Sequence, residues 1–100
     1  MAKKKGASRS LSVTNFFTVK NQKGLHTRPC TELVRCAASF KAEVTLRYHK
    51  MQVNAKSLLG ILMLAAEKGA KIYVEAQGDD AKQAVDSILR LAEEKFNIDY

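Results

Sequence analysis

Phe16-Phe17-Thr18-Val19-Lys20-Asn21-Gln22-Lys23-Gly24-Leu25-His26-Thr27-Arg28-Pro29 is the stretch in which the chain changes its period. Residues 15–20 are aromatic and β-branched, the composition of a strand. Residues 21–24 form a polar loop. From Pro29 onward Cys30, Leu33, Val34 and Ala37 recur at i, i+3, i+4 and i+7, so one face of a helix is apolar. Proline suits a first helical turn, where its missing N–H has no partner to lose. His26 or Thr27 then stands at the N-cap, and Pro29 biases Arg28 away from helical dihedrals.

Outward from this junction the pattern continues in short alternating pieces. Residues 43–48 alternate as a second strand. His49-Lys50 is a tight connection, and residues 51–54 form a third strand, paired most simply with the second as a hairpin. Ser57 is an N-cap for a short helix over residues 58–66 that is apolar almost all round and ends at Gly69. Such a helix is either buried on all sides or exposes a docking patch. Residues 71–76 alternate as a fourth strand. Gly78-Asp79-Asp80 opens a last helix, with Ala81, Ala84, Val85, Ile88, Leu89, Ala92 and Phe96 on its core face and the two acids suited to its positive end. The order is β-α-β-β-α-β-α. Four alternating strands and helices that each need one face covered are accommodated most economically by a two-layer sandwich.

One hundred residues fit one small domain with a single core of modest stability. No apolar run approaches the roughly 18–20 residues of a membrane span, and the basic start lacks the apolar segment of a secretory signal. The expectation is a cytoplasmic protein without membrane insertion. The net charge is +7, but residues 1–14 hold Lys3, Lys4, Lys5 and Arg9 and no acid, leaving thirteen basic and ten acidic side chains in the remainder. Residues 1–14 therefore read as a basic, disordered extension and residues 15–100 as the folded domain. Nucleic-acid binding through that extension is not expected, because no aromatic-rich basic face is evident in the rest of the sequence.

Cys30 and Cys36 are six residues apart on one helix. Six steps of about 100° place them on different faces, which disfavours a disulfide. With His26 and His49 they match no metal spacing, so neither a metal nor a cofactor is expected. No Ser/His/Asp set, carboxylate pair, phosphate loop or dinucleotide fingerprint is present. His49 reads as an exposed turn residue.

His26 is the leading candidate for chemistry. Histidine is the side chain that titrates near neutral pH, and its neutral ring is a nucleophile. A phosphoryl group carried there would meet the positive end of the following helix, and Arg28 offers a planar donor fork to the same oxygens. On spacing alone, a structural cap and a phosphoacceptor both fit His26. For Ser57, capping alone and capping with regulatory phosphorylation both fit.

Gly24-Leu25-His26-Thr27-Arg28-Pro29 resembles the active-site motif of the HPr family, the histidine phosphocarriers of the bacterial phosphoenolpyruvate-dependent sugar phosphotransferase system. Asn54-Ala55-Lys56-Ser57-Leu58-Leu59-Gly60-Ile61-Leu62 resembles the family's regulatory-serine region, and the likeness extends from about Phe16 to Glu94. It implies an α+β open-faced sandwich, a four-stranded antiparallel sheet covered on one side by three helices. It implies a monomeric carrier rather than an enzyme. His26 would accept a phosphoryl group from enzyme I and pass it to enzyme II A components, with Arg28 attending the phosphate. Ser57 corresponds to the serine modified by an HPr kinase/phosphorylase in some bacteria, and Leu58, Leu59 and Leu62 to partner-contact positions. The alternatives are a regulatory binding module controlled at Ser57 and the nitrogen-related branch of the same family. Cys30 stands where the family usually has alanine, and the basic leader is not a usual part of the family.

Overall fold

The computed structural model describes residues 12–98. Alternation writes the sheet. Phe17 of β1 (Ser12–Thr18), Val44 and Leu46 of β2 (Glu43–Tyr48), and Ile72, Val74 and Ala76 of β4 (Lys71–Gln77) are buried, while their neighbours along each strand are more exposed. With β3 (Met51–Asn54) the strands form one antiparallel sheet in the order β1-β4-β2-β3. The β2–β3 hairpin turns at exposed His49, whose backbone is left-handed with φ of 56°.

Three helices supply the other layer. In α1 (Thr27–Ala38) Cys30, Leu33 and Ala37 are fully buried, and α2 (Leu58–Met63) contributes Ile61. In α3 (Ala81–Glu93) Ala81, Ala84, Val85, Ile88 and Ala92 are buried. Each fully buried Leu, Ile or Val contributes about 1.5–3 kcal/mol of transfer free energy. The small Ala residues of α3 let the helix lie close to β1 and β4, and Phe17 meets Phe96 edge-on at 5.8 Å. This is the four-stranded, three-helix open sandwich that the sequence implied.

Several boundaries differ from the sequence expectation. β1 begins at Ser12, so residues 12–14, assigned to the leader, lie in the sheet, where Ser12 pairs with Gln77 and Thr14 with Glu75. Residues 1–11 of the expected extension lie outside the described residues. The helix α2 stops at Met63 rather than running through residue 66 to Gly69. Leu64 is the last residue in a right-handed conformation, and Ala65 turns left-handed at φ 50°. Phe96 is buried but not on α3: it sits in a 3-10 turn (Lys95–Asn97) whose three residues are all left-handed. Buried Asn21 holds that turn, donating to the carbonyls of Lys95 at 2.9 Å and Ile98 at 3.3 Å. Asp80 occupies the N-cap of α3 without capping it. Its carboxylate instead accepts from the amides of Lys41 at 2.9 Å and Ala42 at 2.8 Å, and these bonds hold its pKa below the usual value.

Candidate phosphoacceptor site

The loop before α1 is built to present one side chain. Gly24 has φ of +71°, and a Cβ there would come within 2.4 Å of the Ala66 carbonyl oxygen. Only glycine permits both the turn and the contact. The Gly24 amide donates to the Asn21 carbonyl at 2.9 Å, and the Leu25 amide to Ala66 at 2.9 Å. Leu25 is buried, and its carbonyl accepts from the Cys30 thiol at 3.2 Å. Cys30 is therefore more than a space filler: it ties the first turn of α1 back to the residue before His26. Burial pushes its thiol up to about 11, which keeps it a donor.

His26 emerges from this fixation at the N-cap of α1, in extended backbone with φ of −83° and ψ of −172°. Its carbonyl starts the helix by accepting from the Cys30 amide at 3.1 Å, while its side chain makes no capping hydrogen bond. Of the two capping candidates left by the sequence, the N-cap is thus His26, and its ring is not spent on capping. The ring is half-buried beside exposed Thr27 and Arg28. Pro29 is buried in the first turn, as its fixed φ favours. No acidic residue lies in that turn of the helix itself, whose end carries the partial positive charge of the helix dipole.

Ser57 caps α2, its hydroxyl accepting from the Gly60 amide at 3.0 Å. The absent side chain at Gly60 matters here, because a Cβ would crowd Ser57 Oγ at 3.2 Å and Val53 at 3.3 Å. Beyond the cap, Leu59 is 69% exposed and Leu58 37%, whereas Leu62 is half-buried against the core. Leu58 and Leu59 therefore belong to an open apolar surface, and Leu62 supports it from below. Sequence reasoning missed Met63 and Met51, exposed at 61% and 38%. Their side chains are unbranched and adaptable, the type that suits docking; isolated methionines in an apolar helix and a short strand carried no such signal. The segment after α2 supplies Ala66, the acceptor for Leu25, so the chain that follows the apolar helix also holds the His26 loop.

The described residues contain no cluster of side chains fit for a metal ion and no helix long and apolar enough to cross a membrane. Both cysteines are free.

A family model described as the PTS HPr component phosphorylation site matches residues 13–94. The chain is 40% identical over 82 residues to phosphocarrier protein NPr of Proteus mirabilis, spanning 81% of this chain and 91% of that protein. It is 39% identical over 83 residues to phosphocarrier protein HPr of Xylella fastidiosa, spanning 83% and 93%. Its fold superposes on the crystal structure of HPr from Thermoanaerobacter tengcongensis with a TM-score of 0.83 at 32% identity, covering 88% of this chain and 99% of that one. A motif at a strand-to-helix junction, a matching sheet and a match over most of the sequence meet in one statement: the chain belongs to the HPr family of phosphocarrier proteins.

Proposed function

We propose that this protein is a phosphoryl carrier of the phosphoenolpyruvate-dependent sugar phosphotransferase system, with His26 as the phosphoacceptor. The observation that carries this is the position of His26 at the N-cap of α1, inside the segment that the family model matches. A neutral ring nitrogen attacks phosphorus as the P–N bond to the donor histidine of enzyme I breaks, and the donor ring keeps that electron pair. The transfer then repeats in the same sense to an enzyme II A component. Such transfers depend on positioning and on stabilising the equatorial oxygens rather than on covalent work by further side chains. Arg28 and the positive end of α1 offer that stabilisation. It is modest, so the group remains transferable. The carrier acts as a monomer in the cytoplasm and is a reactant of its partners' enzymes, not an enzyme itself.

Incubation with enzyme I and phosphoenolpyruvate should give one acid-labile phosphate, absent in His26→Ala. Equal labelling of that variant would sink the assignment. Arg28→Ala should still be labelled, about tenfold or more slowly, consistent with the loss of about 1.5–3 kcal/mol from a charge-assisted contact.

Two finer readings have support of their own. Relatives named NPr and HPr are 40% and 39% identical, so the nitrogen-related branch remains the alternative to the sugar branch. Parallel assays with the enzyme I of each branch separate them by relative rate. Regulation at Ser57 is supported by its half-buried cap beside exposed Leu58 and Leu59. A kinase assay that labels the parent but not Ser57→Ala, with a partner pull-down of the modified form, tests it.

A further inference from the structure

Two segments far away in sequence hold the loop that carries His26. The first is residues 66–70. Ala66 accepts from the Leu25 amide at 2.9 Å, Ala70 from the Val19 amide at 2.9 Å, and Val19 from the Gly69 amide at 2.8 Å. Lys68 Nζ adds a bond to Gln22 Oε1 at 2.7 Å. The second is residues 95–98, and its grip on the loop is one side chain. Among the described residues Asn21 is the polar side chain that is fully buried. Its amide nitrogen donates to the carbonyls of Lys95 at 2.9 Å and Ile98 at 3.3 Å, bracketing the 3-10 turn. Its own carbonyl accepts from the Gly24 amide at 2.9 Å and closes the turn at residues 21–24. One residue therefore belongs to both turns.

The turn at residues 95–97 does not sustain itself. Lys95, Phe96 and Asn97 have φ of 55°, 57° and 62°, and left-handed backbone is unfavourable for every residue with a Cβ. Such a conformation persists where the surroundings over-determine it. Here those surroundings are the burial of Phe96 against Phe17 and the two bonds from Asn21. At the other end of the link, Gly24 has no room to shift toward Ala66, and His26 follows two residues later. Phosphoryl transfer is sensitive to displacements of the nucleophile well below the length of a bond.

We propose that Asn21 is a positioning residue for phosphoryl acceptance. By tying the left-handed turn at residues 95–97 to the turn at residues 21–24, it fixes where the loop delivers the His26 ring. The route runs through the backbone of Gly24 and Leu25. The inference rests on the reading of His26 as phosphoacceptor.

The test compares Asn21→Ala with Val74→Ala, a cavity variant in the sheet that controls for lost stability, at urea concentrations giving equal fractions folded. With enzyme I and phosphoenolpyruvate, Asn21→Ala should lower the apparent kcat about tenfold or more. KM should stay at the parent's value, because the exposed apolar side chains of α2 are untouched. Amide exchange at Gly24 and Leu25 should quicken relative to that at Ala55, whose amide bonds to Val44 by the β2–β3 hairpin. Circular dichroism checks folding. If Asn21→Ala unfolds, Phe96→Leu loosens the same turn with Asn21 in place and is read in the same way. A parent-like kcat in the folded variant overturns the proposal, as does an equal loss of kcat in Val74→Ala at matched stability. A raised KM at unchanged kcat overturns it too, since the side chain would then affect docking. Unaltered exchange at Gly24 and Leu25 would break the route. A parent that takes no phosphate would remove the phosphoacceptor reading and this inference with it, whereas a labelled parent with equally labelled variants would remove this inference alone.

Discussion

At the scale of single residues, the site depends most on a side chain that is missing. Gly24 combines a left-handed backbone with an approach to Ala66 that excludes a Cβ. Gly24→Ala should cost about 1–2 kcal/mol for the backbone conformation alone, plus the displacement of the loop. It should slow phosphoryl acceptance by His26 as well as lower the urea midpoint. A stability loss with an unchanged rate of phosphorylation would show that the loop does not position the ring. The cysteines give a second residue-scale prediction. Burial raises the pKa of both thiols, but Cys30 is fully enclosed and Cys36 only half-buried. Iodoacetamide at mildly alkaline pH should label Cys36 slowly in the native protein and Cys30 only after unfolding, as peptide mapping will read. The hydrogen bond from Cys30 to Leu25 also gives Cys30→Ala a cost that its small size did not suggest.

Among the elements, α2 is the one whose stability and use are most separable. Six residues are too few for a self-supporting helix, so it persists through the Ser57 cap and the burial of Ile61. Ser57→Ala should destabilise the protein by about 1 kcal/mol, measurable by urea titration. Leu59→Asp, at an exposed position, should leave stability within about 0.5 kcal/mol. It should raise the apparent KM for phosphorylation by enzyme I, because a charge enters the apolar surface formed with Leu58 and Met63. A KM equal to the parent's would remove α2 from the docking surface. The all-round apolar sequence of this helix left burial and docking undecided. Its early end at Met63 leaves one side exposed and sends residues 64–67 under the His26 loop, so the helix is buried on one face and open on the other.

At the scale of the whole molecule, Asp80 joins the chain between α1 and β2 to the start of α3. Two backbone amides favour its ionised form, so the folded-state pKa lies below the unfolded one. Its contribution is therefore present above the ordinary carboxylate range and is lost as pH falls through the lowered folded value. Urea midpoints of the parent should fall over that interval, and those of Asp80→Asn should fall less. Parallel curves would show that the two amide bonds do not depend on the charge. Asn21 plays a comparable long-range role, holding the left-handed turn at residues 95–97 against the loop that leads to His26.

The sequence by itself determined the element order, the helix and strand faces, and the positions of His26 and Ser57 at helix starts. These follow from local periodicity and capping chemistry, which operate over a few residues. The proposal that His26 is the phosphoacceptor rests on the paired motifs, because spacing alone also allowed a cap. Tertiary structure decided what depends on distant partners. Strand pairing drew Ser12 through Thr14 into the sheet. A left-handed Ala65 ended α2, and the carboxylate of Asp80 turned from its own helix to Lys41 and Ala42. The sheet register also gathered Phe16, Arg47, Lys71 and Tyr73 onto one face. None of these is encoded by a local pattern, since each hydrogen bond or ring contact joins residues whose proximity exists only once the layers have closed.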